Sequence, residues 1–153
     1  MRRVVAAMDP GLVTGVCLVV FESDRAQVLD SRELEFGQLL GWTQDVFPTA
    51  EYLVAERFVI NQNTVRNTQA PWSLMAIGVF TAVAMELGKS LELQSPSDAK
   101  SLFSNDRLRR VGMWHRGGAG HANDSLRHAG TFAVKRLNWR IPELVAINTK
   151  DDV

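Results

Sequence analysis

Apolar residues cluster in short β-branched runs over the first third of the chain. Arg3 to Asp9 (RVVAAMD) and Thr14 to Phe21 (TGVCLVVF) flank a Pro-Gly turn, which predicts a β-hairpin. Gln27 to Glu35 alternates polar and apolar less cleanly, as an exposed third strand would. Leu39 to Phe47 reads as a short crossover helix, and Tyr52 to Ile60 (YLVAERFVI) as a strand covered on both faces. An amide-rich loop, Asn61 to Gln69, precedes Pro71 to Leu87, whose apolar residues run nearly all round and predict a buried or subunit-facing helix. Leu91 to Gln94 is a short fifth strand. Ser95-Pro96-Ser97-Asp98 then opens a helix with a Ser cap, Pro at the first helical position and an acid three residues after the cap. More helix follows from Asp106 to Trp114, then a glycine-rich link from His115 to Gly120 and a last helix from Ala122 to Leu137. The pattern predicts one α/β domain over residues 1–139, with a mixed sheet of about five strands and helices on both faces. Residues 140–153 read as a tail in which VAIN forms a small strand and TKDDV frays.

Length and composition narrow the class. A chain of 153 residues with 46% hydrophobic and 22% charged positions is one ordinary globular domain, able to fold without metal or disulfide. The single cysteine, Cys17, lies in an apolar run and points to a reducing compartment. The basic start gives way to apolar residues only as far as Asp9 and Pro10, too short for a signal core or a membrane span. A cytoplasmic protein without a membrane partner is therefore expected.

The net charge of zero conceals an uneven distribution. Residues 1–94 carry 7 basic and 11 acidic groups, whereas residues 95–140 carry 9 basic against 3 acidic. That block holds Lys100, Arg107, Arg109, Arg110, Arg116, Arg127, Lys135, Arg136 and Arg140. A concentrated basic block is the footprint expected of polyphosphate binding, although charges of this kind also solvate exposed helix faces.

Three carboxylates stand where a sheet protein usually places apolar groups. Asp9 ends the first strand, where Asp before Pro-Gly is also an ordinary turn residue. Glu56 interrupts an apolar run, and a buried Glu needs a cation or a ligand; Arg57 alternates to the opposite face of a strand. Asp124 falls in the first turn of the last helix, where the helix dipole favours an acid for structural reasons alone. If that helix includes His121, then His121, Asp124 and His128 share one stripe of it, with Lys135 continuing it; His128 is expected to be a satisfied core or surface group. Carboxylates gathered from separate elements repel one another unless a hard divalent cation joins them. Oxygen ligands with one imidazole suit magnesium or manganese rather than zinc. Two such ions about 4 Å apart would polarise a phosphodiester, activate a water and stabilise the leaving oxygen.

The segments MDPGLVTG, LVAERF, SPSDAK and GHANDSLRHA, in this order and spacing, resemble the RuvC family of Holliday-junction resolvases, which have the ribonuclease-H-like fold. The resemblance runs from Asp9 to about Leu137. It implies a homodimer that nicks two opposed strands of a four-way DNA junction, with two Mg2+ per site and Mn2+ able to substitute. Asp9, Glu56, His121 and Asp124 would bind the metal, and Lys100 resembles a catalytic-site lysine of that family. Arg107, Arg109 and Arg110 fall where a second basic group is expected. The expected DNA contacts are Asn61, Arg66, Lys100, Arg107, Arg109, Arg110, Arg116, Arg127 and Lys135. The family often has an aromatic three residues after the strand Glu; here that position is Val59 and the aromatic is Phe58, so Trp72 or Trp114 would supply base stacking instead. The helix from Pro71 to Leu87 is the expected dimer interface. A nuclease acting on flaps, forks or RNA–DNA hybrids, or a module that binds DNA without cutting it, are the alternatives.

Overall fold

Strand β1 (Arg3–Asp9) is the centre of a five-stranded mixed sheet of order β3-β2-β1-β4-β5. A computed structural model describes residues 2–66 and 70–142 of the chain. β2 (Val13–Phe21) and β3 (Ala26–Glu35) continue antiparallel from one side of β1, and β4 (Tyr52–Glu56) and β5 (Leu91–Gln94) lie parallel to it on the other. The helices are α1 (Phe36–Val46), α2 (Gln62–Val65), α3 (Ala70–Glu86), α4 (Pro96–Leu102), α5 (Asn105–Arg110) and α6 (His121–Leu137).

Alternation along β1 feeds two cores. Val4, Ala6 and Met8 face α1 and α3, packing with Leu39, Trp42, Phe47, Phe80 and Val83. Val5 and Ala7 face α6, packing with Leu126, Ala129, Phe132 and Ala133, and with Phe103, Leu108 and Met113 from the chain between β5 and α6. Full burial of each large apolar side chain contributes about 1.5–3 kcal/mol, so both faces are needed to hold the sheet. The expected α/β architecture with helices on both faces is therefore the observed one.

One expectation is corrected. The fourth strand ends at Glu56 instead of Ile60, because β1 offers no partner beyond Asp9 and β5 ends at Gln94; the Arg57 N–H makes a last bond to the Gln94 carbonyl at 2.7 Å. Val59 and Ile60 are exposed past that point, so strand alternation no longer decides which way Phe58 or Val59 faces. At the other end the packed structure continues beyond 139. α6 closes on Asn138 in the left-handed region (φ 54°), and Trp139 and Ile141 fold back into the α6-side core, Trp139 edge-on to Phe21 at 5.0 Å. The expected strand VAIN lies outside the described residues.

The helix α3 is one-sided. Ser73, Ala76, Phe80, Val83 and Ala84 are buried, while Leu74, Met75 and Met85 are exposed.

Candidate active site

One row of residues crosses all five strands on the face covered by α6. Glu33 of β3 is opposite Gly15 of β2, Gly15 is opposite Asp9 of β1, and Glu56 of β4 is opposite Gln94 of β5. Asp9 and Glu56 each directly follow the last registered pair of their parallel strands, Met8 and Ala55, so the two carboxylates end adjacent strands. Val5, Ala7 and Val54 of the same strand faces pack under α6, which fixes the direction in which Asp9 and Glu56 point.

The N-terminal half of α6 lies over this row. A Cβ on Gly15 would meet the His121 carbonyl oxygen at 1.8 Å, so only glycine lets the first turn of the helix rest on β2. His121 Nδ1 lies 3.0 Å from Asp9 Oδ2. Two turns on, His128 is fully buried, with Nε2 2.9 Å from Glu56 Oε2 and Nδ1 3.1 Å from Gln94 Oε1. Between them, Asp124 accepts a hydrogen bond from Arg127, which also donates to the Phe103 carbonyl at 2.9 Å.

Charge in the site is crowded. Burial lifts the Asp9 carboxyl above its ordinary range; the hydrogen bond from His121 opposes this, and the negative charges of Glu56 and Asp124 add to it. His121 is raised above the usual imidazole value, first by its hydrogen bond to Asp9 and against the effect of burial. Three carboxylates within electrostatic reach of one another, beside an imidazole, form the donor chemistry of a hard divalent cation. Each nevertheless faces its own partner from α6, and among the described residues no three His, Cys, Asp or Glu side chains are gathered into a ligand cluster.

The expected basic contacts divide into two groups. Lys100, Arg66 and Arg116 are exposed, and Arg109 stacks its guanidinium over Trp114 at 4.1 Å. The others are engaged within the protein. Arg127 is tied to Asp124 and Phe103; Lys135 pairs with Asp98 at 2.8 Å, Arg110 with Asp106 at 2.7 Å, and Arg107 donates to the Leu102 carbonyl. Asn61 caps the short α2, its Oδ1 accepting the Thr64 N–H at 3.0 Å. Trp72 packs edge-on to Phe36 at 5.5 Å at the start of α3.

Four members of the row and its cover are not among the expected site residues. His128 lies on the expected stripe, but nothing in the sequence says that α6 crosses the end of β4. Gln94, Gly15 and Glu33 acquire meaning only from cross-strand register.

The strand order β3-β2-β1-β4-β5, with α1 and α3 on one face and α6 on the other, is that of the ribonuclease-H-like α/β fold. Solved structures share it, two of RuvC among them. Thermus thermophilus RuvC superposes with a TM-score of 0.68 at 20% identity, covering 85% of this chain and 93% of that one. The same protein in complex with a Holliday-junction substrate superposes at 0.69 and 20% identity, covering 86% of this chain and 92% of that one. No protein-family model and no curated protein sequence matches the chain.

Proposed function

We propose that this protein is a divalent-metal-dependent endonuclease for branched DNA, acting on four-way junctions by paired nicks as a homodimer. The observation that carries this is the pair of adjacent strand-end carboxylates, Asp9 and Glu56, faced by His121 and Asp124 of α6 within a fold shared with RuvC. Asp9, Glu56, Asp124 and His121 would hold Mg2+ or Mn2+, which supplies charge neutralisation at the phosphate and lowers the pKa of a water nucleophile. Asp124 and Glu56 are held by Arg127 and His128, and a bound divalent cation would have to compete with those bonds.

The basic residues around this end of the sheet support a DNA ligand. Lys100, Arg109 and Arg116 lie on the segments that precede α6, and each phosphate they neutralise adds affinity that falls with salt. The exposed Leu74, Met75 and Met85 of α3 support the homodimer, since a two-fold pair of sites matches the near two-fold symmetry of a four-way junction.

The test is incubation with Mg2+ and end-labelled four-way, forked and linear duplexes. Symmetric nicks in the four-way species support the proposal. Cutting confined to forks moves the substrate class, and binding without any cutting contradicts a nuclease.

A further inference from the structure

Helix α6 begins without a side-chain cap. Its N-cap is Gly120, in the left-handed region at φ 104°, and no side chain of its own segment accepts the amides of its first turn. Unsatisfied first-turn amides are costly, and an acceptor at this position usually comes from the N-cap residue itself. Here a carboxylate of β3 accepts two amides just before the helix and, at longer range, one in its first turn. Glu33 Oε1 accepts the Gly120 N–H at 2.8 Å and the Ala122 N–H at 3.4 Å, and Oε2 accepts the Ala119 N–H at 2.9 Å.

The fit around that carboxylate is close. Gly118 has φ 70°, and a Cβ there would lie 2.6 Å from Glu33 Cδ, so the glycine-rich segment wraps directly on the carboxylate. A negative charge at the N-terminal end of a helix also complements its dipole. Burial disfavours ionised Glu33, yet the backbone amides of Ala119, Ala122, Gly120 and His121 outweigh it and hold the carboxyl below its ordinary range.

We propose that Glu33 is a positioning residue: through the backbone of residues 119–122 it sets His121 and Asp124 over Asp9, so that cation binding depends on a carboxylate that touches neither ion nor DNA. Glu33, Gly15 and Asp9 stand in one cross-strand row, and each fixes α6 differently. Glu33 holds the amides, Gly15 gives room for the His121 carbonyl, and Asp9 meets the imidazole. The link from placement to cation binding rests on the function proposed above.

The experiment uses the full chain and two readouts, amide hydrogen exchange in metal-free protein and titration with Mn2+ alone. Glu33→Ala is expected to speed exchange at Ala119 and Gly120 about tenfold and to weaken Mn2+ binding about tenfold, the scale of a lost cap. Glu33→Gln, which keeps an acceptor oxygen without the charge, is expected to fall between, and it serves alone if Glu33→Ala does not fold. Ser104→Ala is the control for a merely structural cap. It removes the hydroxyl that accepts the Arg107 N–H at the start of α5, and is expected to lower global stability without moving Mn2+ affinity. Exchange unchanged in both Glu33 variants overturns the proposal, as does altered exchange with wild-type Mn2+ affinity. If the unsubstituted protein binds no Mn2+, the proposed function fails; the exchange readout still decides whether Glu33 fixes the turn.

Discussion

The His128 ring bridges the ends of two neighbouring strands, with Nε2 2.9 Å from Glu56 Oε2 and Nδ1 3.1 Å from Gln94 Oε1. Removing it leaves a cavity and strips both partners of their bond. His128→Ala is expected to cost about 2–4 kcal/mol of stability in urea unfolding. A loss below about 1 kcal/mol would mean the bridge does not support the site.

Asp9 and Glu56 are the carboxylates on which the proposed chemistry depends. Asp9→Asn and Glu56→Gln are each expected to lower cleavage of a four-way junction by at least about a hundredfold, while binding of the same DNA survives. Binding survives because a neutral amide repels phosphate less than a carboxylate does. Gel-shift titration beside single-turnover cleavage separates the two effects.

Gly15 tests the seat of α6. The 1.8 Å approach of the His121 carbonyl leaves no room for a methyl group, so the helix must lift. Gly15→Ala is expected to cost about 1–3 kcal/mol and to reduce cleavage together with Mn2+ binding. Wild-type Mn2+ affinity in a folded Gly15→Ala protein would show that the first turn of α6 takes no part in the site.

Cys17 gives a pH signature remote from the carboxylates. Burial pushes its thiol up from 9.0 to about 12, against smaller opposing hydrogen bonds from Ser125 and the backbone of Ala7. Between these values the unfolded chain releases the thiol proton while the folded protein keeps it. Stability contributed by the neutral thiol is therefore full below pH 9 and falls as pH rises, by about 1.4 kcal/mol per unit. Urea unfolding at about pH 8.5 and about pH 10.5 should show the wild type losing about 2 kcal/mol more than Cys17→Ala over that interval. Equal losses would mean that the thiol is not held neutral.

Arg109 and Arg116 test the basic surface. Replacing both with Ala should weaken junction binding and flatten the plot of log affinity against log salt by about 0.9 for each phosphate no longer neutralised. An unchanged slope would assign DNA binding to another face.

Much of the fold is legible in the sequence because β-branched runs and turn residues act locally. The hairpin and β5 follow the expected boundaries closely, and α6 starts one residue early, at His121. The pattern overstates β4 because Phe58, Val59 and Ile60 continue the apolar run, whereas strand length is set by what the neighbours offer for pairing. Asp9 and Glu56 stand out as charges in apolar runs. Glu33 does not, because a carboxylate on an alternating, half-exposed strand is unremarkable until a segment 86 residues later folds onto it. His128 is the satisfied side chain its sequence context suggests; that its partner is Glu56 depends on where α6 crosses the sheet.

The central claim is that Asp9, Glu56 and Asp124 take one cation site between the strand ends and α6. The most direct measurement is an anomalous difference map from a crystal of the full chain grown with Mn2+. The account predicts manganese bound by carboxylate oxygens of Asp9 together with Glu56 or Asp124. Manganese bound elsewhere with these three side chains still on His121, His128 and Arg127 would contradict it.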